Sequence, residues 1–556
     1  MAPRRLVRAR RSGRLAGVMR REDEAAVASE VVGRVLERSL AGASGPQGRP
    51  VEEIINETLY HERTRLSKAG DGETDRAYYA RVAHELPHAS EARRTRLLQE
   101  IIERYAREIT GHFDPRVYAF ATRLAPFALT ALLNSLSPRR LLTRLRDVPG
   151  LDEHIIIQGE VETLRRLRRR GTVILAPTHS SNMDSVVMGY AIHEMGLPPF
   201  TYGAGLNLFS NPIIGYFMRN LGAYTVDRLK TDPLYRETLK EYATVALEWG
   251  YHTLFFPGGT RSRSGAVEKR LKKGLLGTGL SAFRGNLRRK RTDPRIYIFP
   301  CTISYPIALE AGTLIEDYLK EAGKSRYIIV DDEFSRLERW LDFARGLFEL
   351  DLRIYLRVGR PLDPFGNDVD EEGDSLDPRG RKVDPEKYLL TDGEITEDPV
   401  RDAEYTGTLA SRLLAAFHQE NTALPTNVAA FACFELLKRK QWRGDLYRFL
   451  RGLGPEISLP LPEVEQEVEK LLGELREKES AGQIRLSRTV SSGDVAETMR
   501  RALRSFGTYH TNPVLERRGV RLHVGDANLV FYYRNRLEGY GLLGAEDLVQ
   551  RRKVGP

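Results

Sequence analysis

Val173-Ile174-Leu175-Ala176-Pro177-Thr178-His179-Ser180-Ser181-Asn182-Met183-Asp184 is the stretch on which the fold turns. A short, uninterrupted apolar run closed by proline reads as a strand buried on both faces. The polar residues after it read as a loop, and Met183–Glu194 then reads as a helix. The same unit recurs outward from this point. Apolar runs at Val173–Ala176, Phe200–Gly203, Ala223–Val226, Thr253–Phe256, Ile296–Ile303 and Leu352–Val358 are separated by helical patterns, among them Pro233–Trp249 and Lys273–Arg284. Strands alternating with helices predict an α/β fold with a mixed, largely parallel sheet flanked by helices. Functional residues in such folds gather in the loops at the carboxyl ends of the strands.

Further from the sheet the composition changes. Residues 1–50 read as a flexible basic segment ending in Gly42-Ala43-Ser44-Gly45-Pro46. Residues 51–150 read as a helical region, with Leu97, Leu98, Ile101, Ile102 and Tyr105 at helical spacing. The predicted α/β domain spans 151–361. Residues 362–402 are rich in Asp, Glu, Gly and Pro and read as an exposed acidic loop or linker. Residues 403–556 read as mostly helical, with a charged amphipathic helix at Leu461–Glu479 and a small α/β tail at Val520–Val524 and Asn528–Leu537. This reading finds no internal repeat.

The chain has 556 residues and a formal charge of +10, which is concentrated rather than spread. Residues 1–21 hold eight arginines and no acid, and further clusters are Arg165-Arg166-Leu167-Arg168-Arg169-Arg170 and Arg288-Arg289-Lys290-Arg291. Such clusters suit anionic headgroups or phosphorylated ligands, or are solvated helix faces. No recognised nucleic-acid motif and no basic–aromatic interleaving accompany them, which counts against nucleic acid. The N-terminal stretch has no apolar core of a secretory signal; its composition fits a presequence or a membrane-touching tail. No run of about 18 uncharged apolar residues occurs. Val117–Leu136, followed by Arg139, Arg140, Arg144 and Arg146, reads either as an interfacial membrane element or as a buried core helix. Cys301 and Cys433 lie far apart in apolar contexts, as expected of buried thiols in a reducing compartment. No metal-ligand spacing is present.

Two loops carry the chemistry. In the first, a carboxylate at Asp184 can bond one ring nitrogen of His179, fix its tautomer and leave the other nitrogen as a base. Ser180 and Ser181 fit backbone hydrogen bonding better than nucleophilic roles. The second loop is Phe255-Phe256-Pro257-Gly258-Gly259-Thr260-Arg261-Ser262-Arg263-Ser264-Gly265. Its glycines permit close backbone approach to a ligand, and the amides of Gly258, Gly259, Thr260 and Ser262 are candidates to cradle an anion. Arg261 and Arg263 suit bidentate contact with a phosphate monoester, and Arg228 is placed to reach the same pocket. The bland alternative is a basic loop with flexible glycines.

His179 to Asp184, the block Gly222-Ala223-Tyr224-Thr225-Val226-Asp227-Arg228, the block Gly258 to Gly265 and the strand Phe299-Pro300-Cys301-Thr302-Ile303-Ser304-Tyr305 follow one another in a set order. In that order they resemble the four motifs of the glycerolipid acyltransferases, the first being the HX4D motif. The nearest likeness is to glycerol-3-phosphate acyltransferases and their dihydroxyacetone-phosphate relatives, over roughly 170–310. Weaker likeness extends to Asn421-Thr422-Ala423-Leu424-Pro425 and Tyr532-Tyr533-Arg534-Asn535. One position departs: the family's Phe-x-Glu-Gly reads Phe256-Pro257-Gly258-Gly259 here, which puts the identity of the acceptor in question.

The resemblance implies a catalytic His179 that deprotonates an acceptor hydroxyl, with Asp184 orienting the ring. It implies phosphate binding by Arg228, Arg261 and Arg263, and an acyl-donor side shaped by Pro300. The implied reaction moves a fatty acyl group from an acyl-CoA or acyl carrier protein thioester to glycerol-3-phosphate for phospholipid biosynthesis. No metal or organic cofactor is implied, because the thioester is already activated. The implied setting is the cytoplasmic face of an anionic membrane, with peripheral or monotopic attachment. Acylation of lysophosphatidate, another lysophospholipid or dihydroxyacetone phosphate is the enzymatic alternative. An anionic-lipid-binding protein with an inactive acyltransferase fold is the non-enzymatic one.

Overall fold

Apolar runs that alternate with amphipathic helices leave a chain one economical solution, a twisted sheet covered on both faces. A computed structural model shows that solution and describes residues 19, 21–43, 48–68, 73–122, 154–206, 212–322, 352–442, 444–454, 456–507, 510, 513–545 and 548. The sheet has seven strands: β1 (Ile155–Gly159), β2 (Thr172–Pro177), β3 (Thr201–Gly205), β4 (Ala223–Val226), β5 (Thr253–Leu254), β6 (Ile296–Ser304) and β7 (Ile354–Val358). Their spatial order is β1-β7-β6-β2-β5-β3-β4. Every pairing is parallel except β6 with β7. All six residues of β2 and all nine of β6 are buried, as a strand covered on both faces requires.

Alternation along β2 divides the core. Val173 and Leu175 pack with Leu164, Leu167, Val187 and Met188, from the helices Val161–Leu167 and Asp184–Glu194. Ile174 and Ala176 point the other way, toward Leu247, Leu280 and Phe283 from Pro233–Glu248 and Thr278–Arg288, and Leu409 and Leu413 from Pro399–Glu420. Period-two side chains on a strand thus assign each flanking helix to a face.

The segment 1–50, expected to be flexible, contains the helix Arg21–Ala43. This corrects the sequence reading, and the cause is tertiary. Val27, Val31 and Val35 form a buried stripe at four-residue spacing and join the core shared with Leu97, Ile101, Tyr235 and Tyr242. On the same helix Arg34 donates to Glu241 at 2.8 Å and to Glu248 at 2.5 Å. The helices Val51–Lys68, Glu73–Glu85 and Glu91–Ile109 complete this layer. A buried polar knot fixes it to the α/β domain: Asp232 accepts from Thr58 at 3.0 Å and from the Tyr105 hydroxyl at 2.8 Å. Most of the apolar run Val117–Leu136, and the arginines after it, lie outside the described residues. Among the described residues no helix is long and apolar enough to cross a membrane.

The acidic stretch 362–402 is likewise not a linker. It folds back on the sheet through bridges from Leu362 to Ile298 and Asp368, and buries Leu362, Phe365 and Leu389. It also holds the internal repeat that the sequence reading missed, three consecutive seven-residue units, Asp363–Val369, Asp370–Leu376 and Asp377–Val383. In each unit the aspartate side chain accepts from the amides two and four residues on: Phe365 and Asn367, Glu372 and Asp374, Arg379 and Arg381. The fourth residue is glycine with positive φ (Gly366 +88°, Gly373 +89°, Gly380 +77°). The units end in short strands, Asp368–Val369, Ser375–Leu376 and Lys382–Val383, paired antiparallel. Aspartate-capped turns rather than solvation explain the composition.

The C-terminal region is built round the helix Pro425–Gln441, buried continuously from Thr426 to Leu437. Leu461–Ser480, Val495–Phe506 and Ala527–Arg534 supply the side chains that enclose it. Ser458–Pro460, Leu515–Arg518 and Arg521–Val524 form a small antiparallel sheet beside them.

Glu241 and Glu248 are buried carboxylates whose charge depends on Arg34 together with Arg38 and Arg289. Arg34→Leu is expected to lower the unfolding free energy by about 1–3 kcal/mol, since a buried charge loses one of its donors. Urea denaturation followed by far-UV circular dichroism checks this; an unchanged midpoint would show that the other arginines suffice.

Candidate active site

The loops at the carboxyl ends of β2, β4, β5 and β6 hold the candidate residues. His179 lies two residues beyond β2, and Asp184 opens the helix that follows. The His179 ring donates from Nδ1 to Asp184 Oδ2 at 2.8 Å. The same oxygen accepts from the amides of Ser180 (2.7 Å) and Ser181 (2.9 Å), and Oδ1 accepts from the Tyr305 hydroxyl at 2.7 Å. Asp184 is completely buried. Four donors compensate that burial. With Nδ1 bound, Nε2 is the ring nitrogen left to take a proton. Phe256 stacks on the imidazole with centroids 4.3 Å apart and planes at 23°, which restricts its rotation.

The two motif loops are joined through backbone. The Ser262 amide donates to the His179 carbonyl at 2.7 Å, and the His179 amide donates to Glu268 Oε1 at 2.6 Å. The Ser262 hydroxyl closes its own loop on Ala266 O at 2.6 Å. Gly259 has φ of +75°, and a Cβ there would lie 2.6 Å from Lys272 Cδ. Gly265 has φ of +80°, and its Cβ would fall 2.3 Å from the Tyr532 carbonyl. Both positions therefore require glycine. The Ser262 amide is consumed by His179, and the Gly259 amide donates to Phe256 O at 3.0 Å. That corrects the expectation for those two residues as anion donors. The amides of Gly258 and Thr260 have no partner among the described residues.

The three arginines have different neighbours. Arg228, two residues beyond β4, has no carboxylate partner among the described residues; burial and the nearby Arg261 guanidinium both lower its pKa. Arg261 reaches Glu310 at 3.5 Å. Glu310 is tied to the first loop, accepting from Ser181 Oγ at 3.0 Å and the Asn182 amide at 2.9 Å. Burial raises its pKa, opposed by Arg261. Arg263 instead pairs with Glu321 at 2.6 Å in a partly exposed bridge. Lys272, over Gly259, is a cation the sequence reading missed; burial, Arg228 and Arg236 lower its pKa. Like charges held near one another with a single carboxylate, Glu310, among them make a candidate anion site. Pro300 is not at this cluster. It is buried inside β6, in register with Ala176 and against Gly359.

Arg536, more than 350 positions from the first loop, also reaches it. Its guanidinium donates to Asn421 Oδ1 (2.6 Å), Ile303 O (2.9 Å) and Ser180 Oγ (3.4 Å). No local pattern marks this residue. Tyr305 and Glu310 were more accessible to sequence reading, since both follow β6 directly.

Residues 158–304 match the family model described as Acyltransferase. These residues form an acyltransferase-family domain. The chain is also similar to proteins named glycerol-3-phosphate acyltransferases. It is 34% identical to that of Ectopseudomonas mendocina (strain ymp) over 172 residues, which is 31% of this chain and 20% of that protein. It is 32% identical to that of Pseudomonas fluorescens (strain Pf0-1) over 174 residues, with the same coverage of 31% and 20%. The similarity thus spans a fifth of the length of these relatives. A crystal structure of the 1-acyl-sn-glycerophosphate (LPA) acyltransferase PlsC from Thermotoga maritima aligns at 15% identity and a TM-score of 0.24, over 45% of this chain and 90% of that one.

Asp184→Ala would strand two amides, the Tyr305 hydroxyl and the His179 Nδ1–H. The expected loss is at least about 2 kcal/mol of stability, and Asp184→Asn, which keeps an acceptor oxygen, should lose less. Thermal denaturation at fixed pH reads both. Equal stability of the alanine variant and the parent would show that the loop does not depend on this carboxylate.

Proposed function

We propose that this protein transfers a fatty acyl group from an acyl-CoA or acyl carrier protein thioester to a hydroxyl of glycerol-3-phosphate. The observation that carries the reading is a base whose second ring nitrogen has no partner among the described residues, with Arg228 and Lys272, which have no carboxylate partner among them, in loops that likewise leave the carboxyl ends of the sheet strands. The similarity of the chain to proteins named glycerol-3-phosphate acyltransferases supports it.

In this reading His179 Nε2 takes the proton from the acceptor hydroxyl as that oxygen attacks the thioester carbonyl carbon. Asp184 holds the ring and stabilises the imidazolium that forms. When the tetrahedral intermediate collapses, the carbon–sulfur bond breaks and the imidazolium returns the proton to the departing thiolate. The products are acylglycerol phosphate and free thiol, and the ring is again neutral. Arg228 and Lys272, with Arg261 shared between ligand and Glu310, hold the phosphate dianion. Pairing with Glu321 leaves Arg263 a lesser part. The long-chain donor and the basic clusters favour work at the cytoplasmic face of an anionic membrane, with peripheral or monotopic attachment.

The test is thiol release by purified full-length protein with anionic vesicles, a long-chain acyl thioester and glycerol-3-phosphate. His179→Ala is expected to lower kcat by about 10²–10⁴-fold. Arg228→Ala should raise KM for glycerol-3-phosphate about 10–100-fold while that for the thioester moves little. Unaltered turnover without His179 would overturn the chemistry. Equal effects on both substrates would overturn the phosphate assignment, and activity only with lysophosphatidate or dihydroxyacetone phosphate would reassign the acceptor.

A further inference from the structure

A carboxylate oxygen beside the base is left over, as is Asn182 Nδ2 in the same loop. Glu268 Oε1 accepts from the His179 amide at 2.6 Å, while Glu268 Oε2 is buried with no hydrogen-bond partner on any other described residue. Burial raises the pKa of this carboxyl, opposed by the His179 contact and by the charge of Arg536. A folded chain rarely leaves a carboxylate oxygen in that state, because the desolvation is uncompensated. The other buried carboxylates of the site do not share it. Both oxygens of Asp184 and both of Glu310 have partners.

The position of Glu268 follows from a missing side chain. Gly258 has no Cβ, and one built there would stand 3.2 Å from Glu268 Cγ and 3.6 Å from Oε1. The segment after Gly265 runs back along the glycine turn, with the Lys272 amide donating to Pro257 O at 2.8 Å. Glu268 thereby occupies the space a side chain at 258 would use. It lies between the His179 backbone and the turn that carries the unpartnered amides of Gly258 and Thr260.

We infer that Glu268 is a specificity-determining residue whose Oε2 accepts a hydrogen bond from the second, non-reacting hydroxyl of the acceptor. The inference rests on the proposed acyl transfer to glycerol-3-phosphate and narrows it to acceptors with a free hydroxyl beside the reacting one. Dihydroxyacetone phosphate presents a carbonyl at that carbon, and lysophosphatidate has no second free hydroxyl. Neither can donate to Oε2, so each leaves the buried oxygen unpaired. A site built to bond a hydroxyl rejects analogues that lack it more strongly than a merely roomy one does.

Glu268→Gln separates this role from a structural one. The amide oxygen still accepts from the His179 N–H, while the second oxygen becomes an NH2 donor. Steady-state thiol release is measured for the full-length parent and variant with glycerol-3-phosphate and with dihydroxyacetone phosphate, and thermal denaturation confirms that both are folded. The expected result is a fall of about 10–100-fold in kcat/KM for glycerol-3-phosphate, carried by KM, with dihydroxyacetone phosphate unchanged or improved. In Gly258→Glu/Glu268→Ala, which returns a carboxylate from the other side of the turn, part of the preference for glycerol-3-phosphate should reappear. An equal loss with both acceptors, or a fall in kcat alone, would overturn the inference and leave Glu268 as a support of the His179 loop. An unaltered preference would overturn it as well. Silence of the parent protein with every acceptor would instead remove the proposed function on which the inference stands.

Discussion

The Asp184 carboxylate holds the site together by accepting four hydrogen bonds in a place water does not reach. Two of its donors are amides of its own loop, one is the imidazole of His179, and one is the phenol at the end of β6. The two amides force the chain after β2 into a turn tight enough to return Asp184 to His179. The Tyr305 bond makes that turn depend on the sheet, because β6 lies next to β2 and ends one residue before Tyr305. Ring orientation, loop shape and strand order are therefore one constraint. A carboxylate with four donors has little freedom, and a base held by it is correspondingly preorganised.

The regions outside the sheet bear on this constraint from two sides. N-terminal helices grip Pro233–Glu248 through valines and through Arg34, and Asp232, at the head of that helix, sits just beyond Arg228. The cation cluster is thus anchored to a layer that contributes no cation of its own to it. On the opposite side, Asn535 donates to Ser264 O at 2.9 Å and Arg536 bridges Asn421, Ile303 and Ser180. The absence of a side chain at Gly265 lets the Tyr532 carbonyl approach, so the C-terminal region and the glycine loop are fitted to each other.

Sequence patterns revealed what is local. Uninterrupted apolar runs disclosed six of the seven strands, and the His179–Asp184 spacing disclosed the bond that orders the loop, because both ends lie within one turn. β1 escaped notice, since only Ile155 of its five residues is fully buried. The Arg21–Ala43 helix was hidden among charges: its apolar stripe is one valine wide and gains meaning only against Pro233–Glu248. The acidic stretch was misread because aspartate in a turn and aspartate in a solvated linker look alike in composition. The seven-residue spacing of Asp363, Asp370 and Asp377, each with glycine three residues on, was the signal that could have told them apart. Glu268 and Arg536 reach the site through tertiary approach, which no spacing encodes. Arg263 was read from its place in the glycine loop, and its neighbour in three dimensions is Glu321.

The unsatisfied groups of the molecule make a physical argument of their own. Among the described residues Arg228 and Lys272 have no carboxylate partner, Arg261 lowers the pKa of Arg228 and Arg228 that of Lys272, the amides of Gly258 and Thr260 have no partner, and Glu268 Oε2 is buried and unpaired. These all belong to loops leaving β4 and β5. Some buried charges elsewhere are closely paired, as with Arg34 between two glutamates and Arg534 between Glu435 and Glu538. A buried carboxylate oxygen without a donor costs a fold about 1–3 kcal/mol, so Glu268 Oε2 is an unfavourable feature until a donor reaches it. In the proposed reaction a dianion would supply the counter-charge and a hydroxyl the missing donor. Glycine at 258 then has a reason that does not require loss of chemistry: a carboxylate arriving from position 268 needs that space, and the loop meets the same need for negative charge beside the base from the other side of the turn.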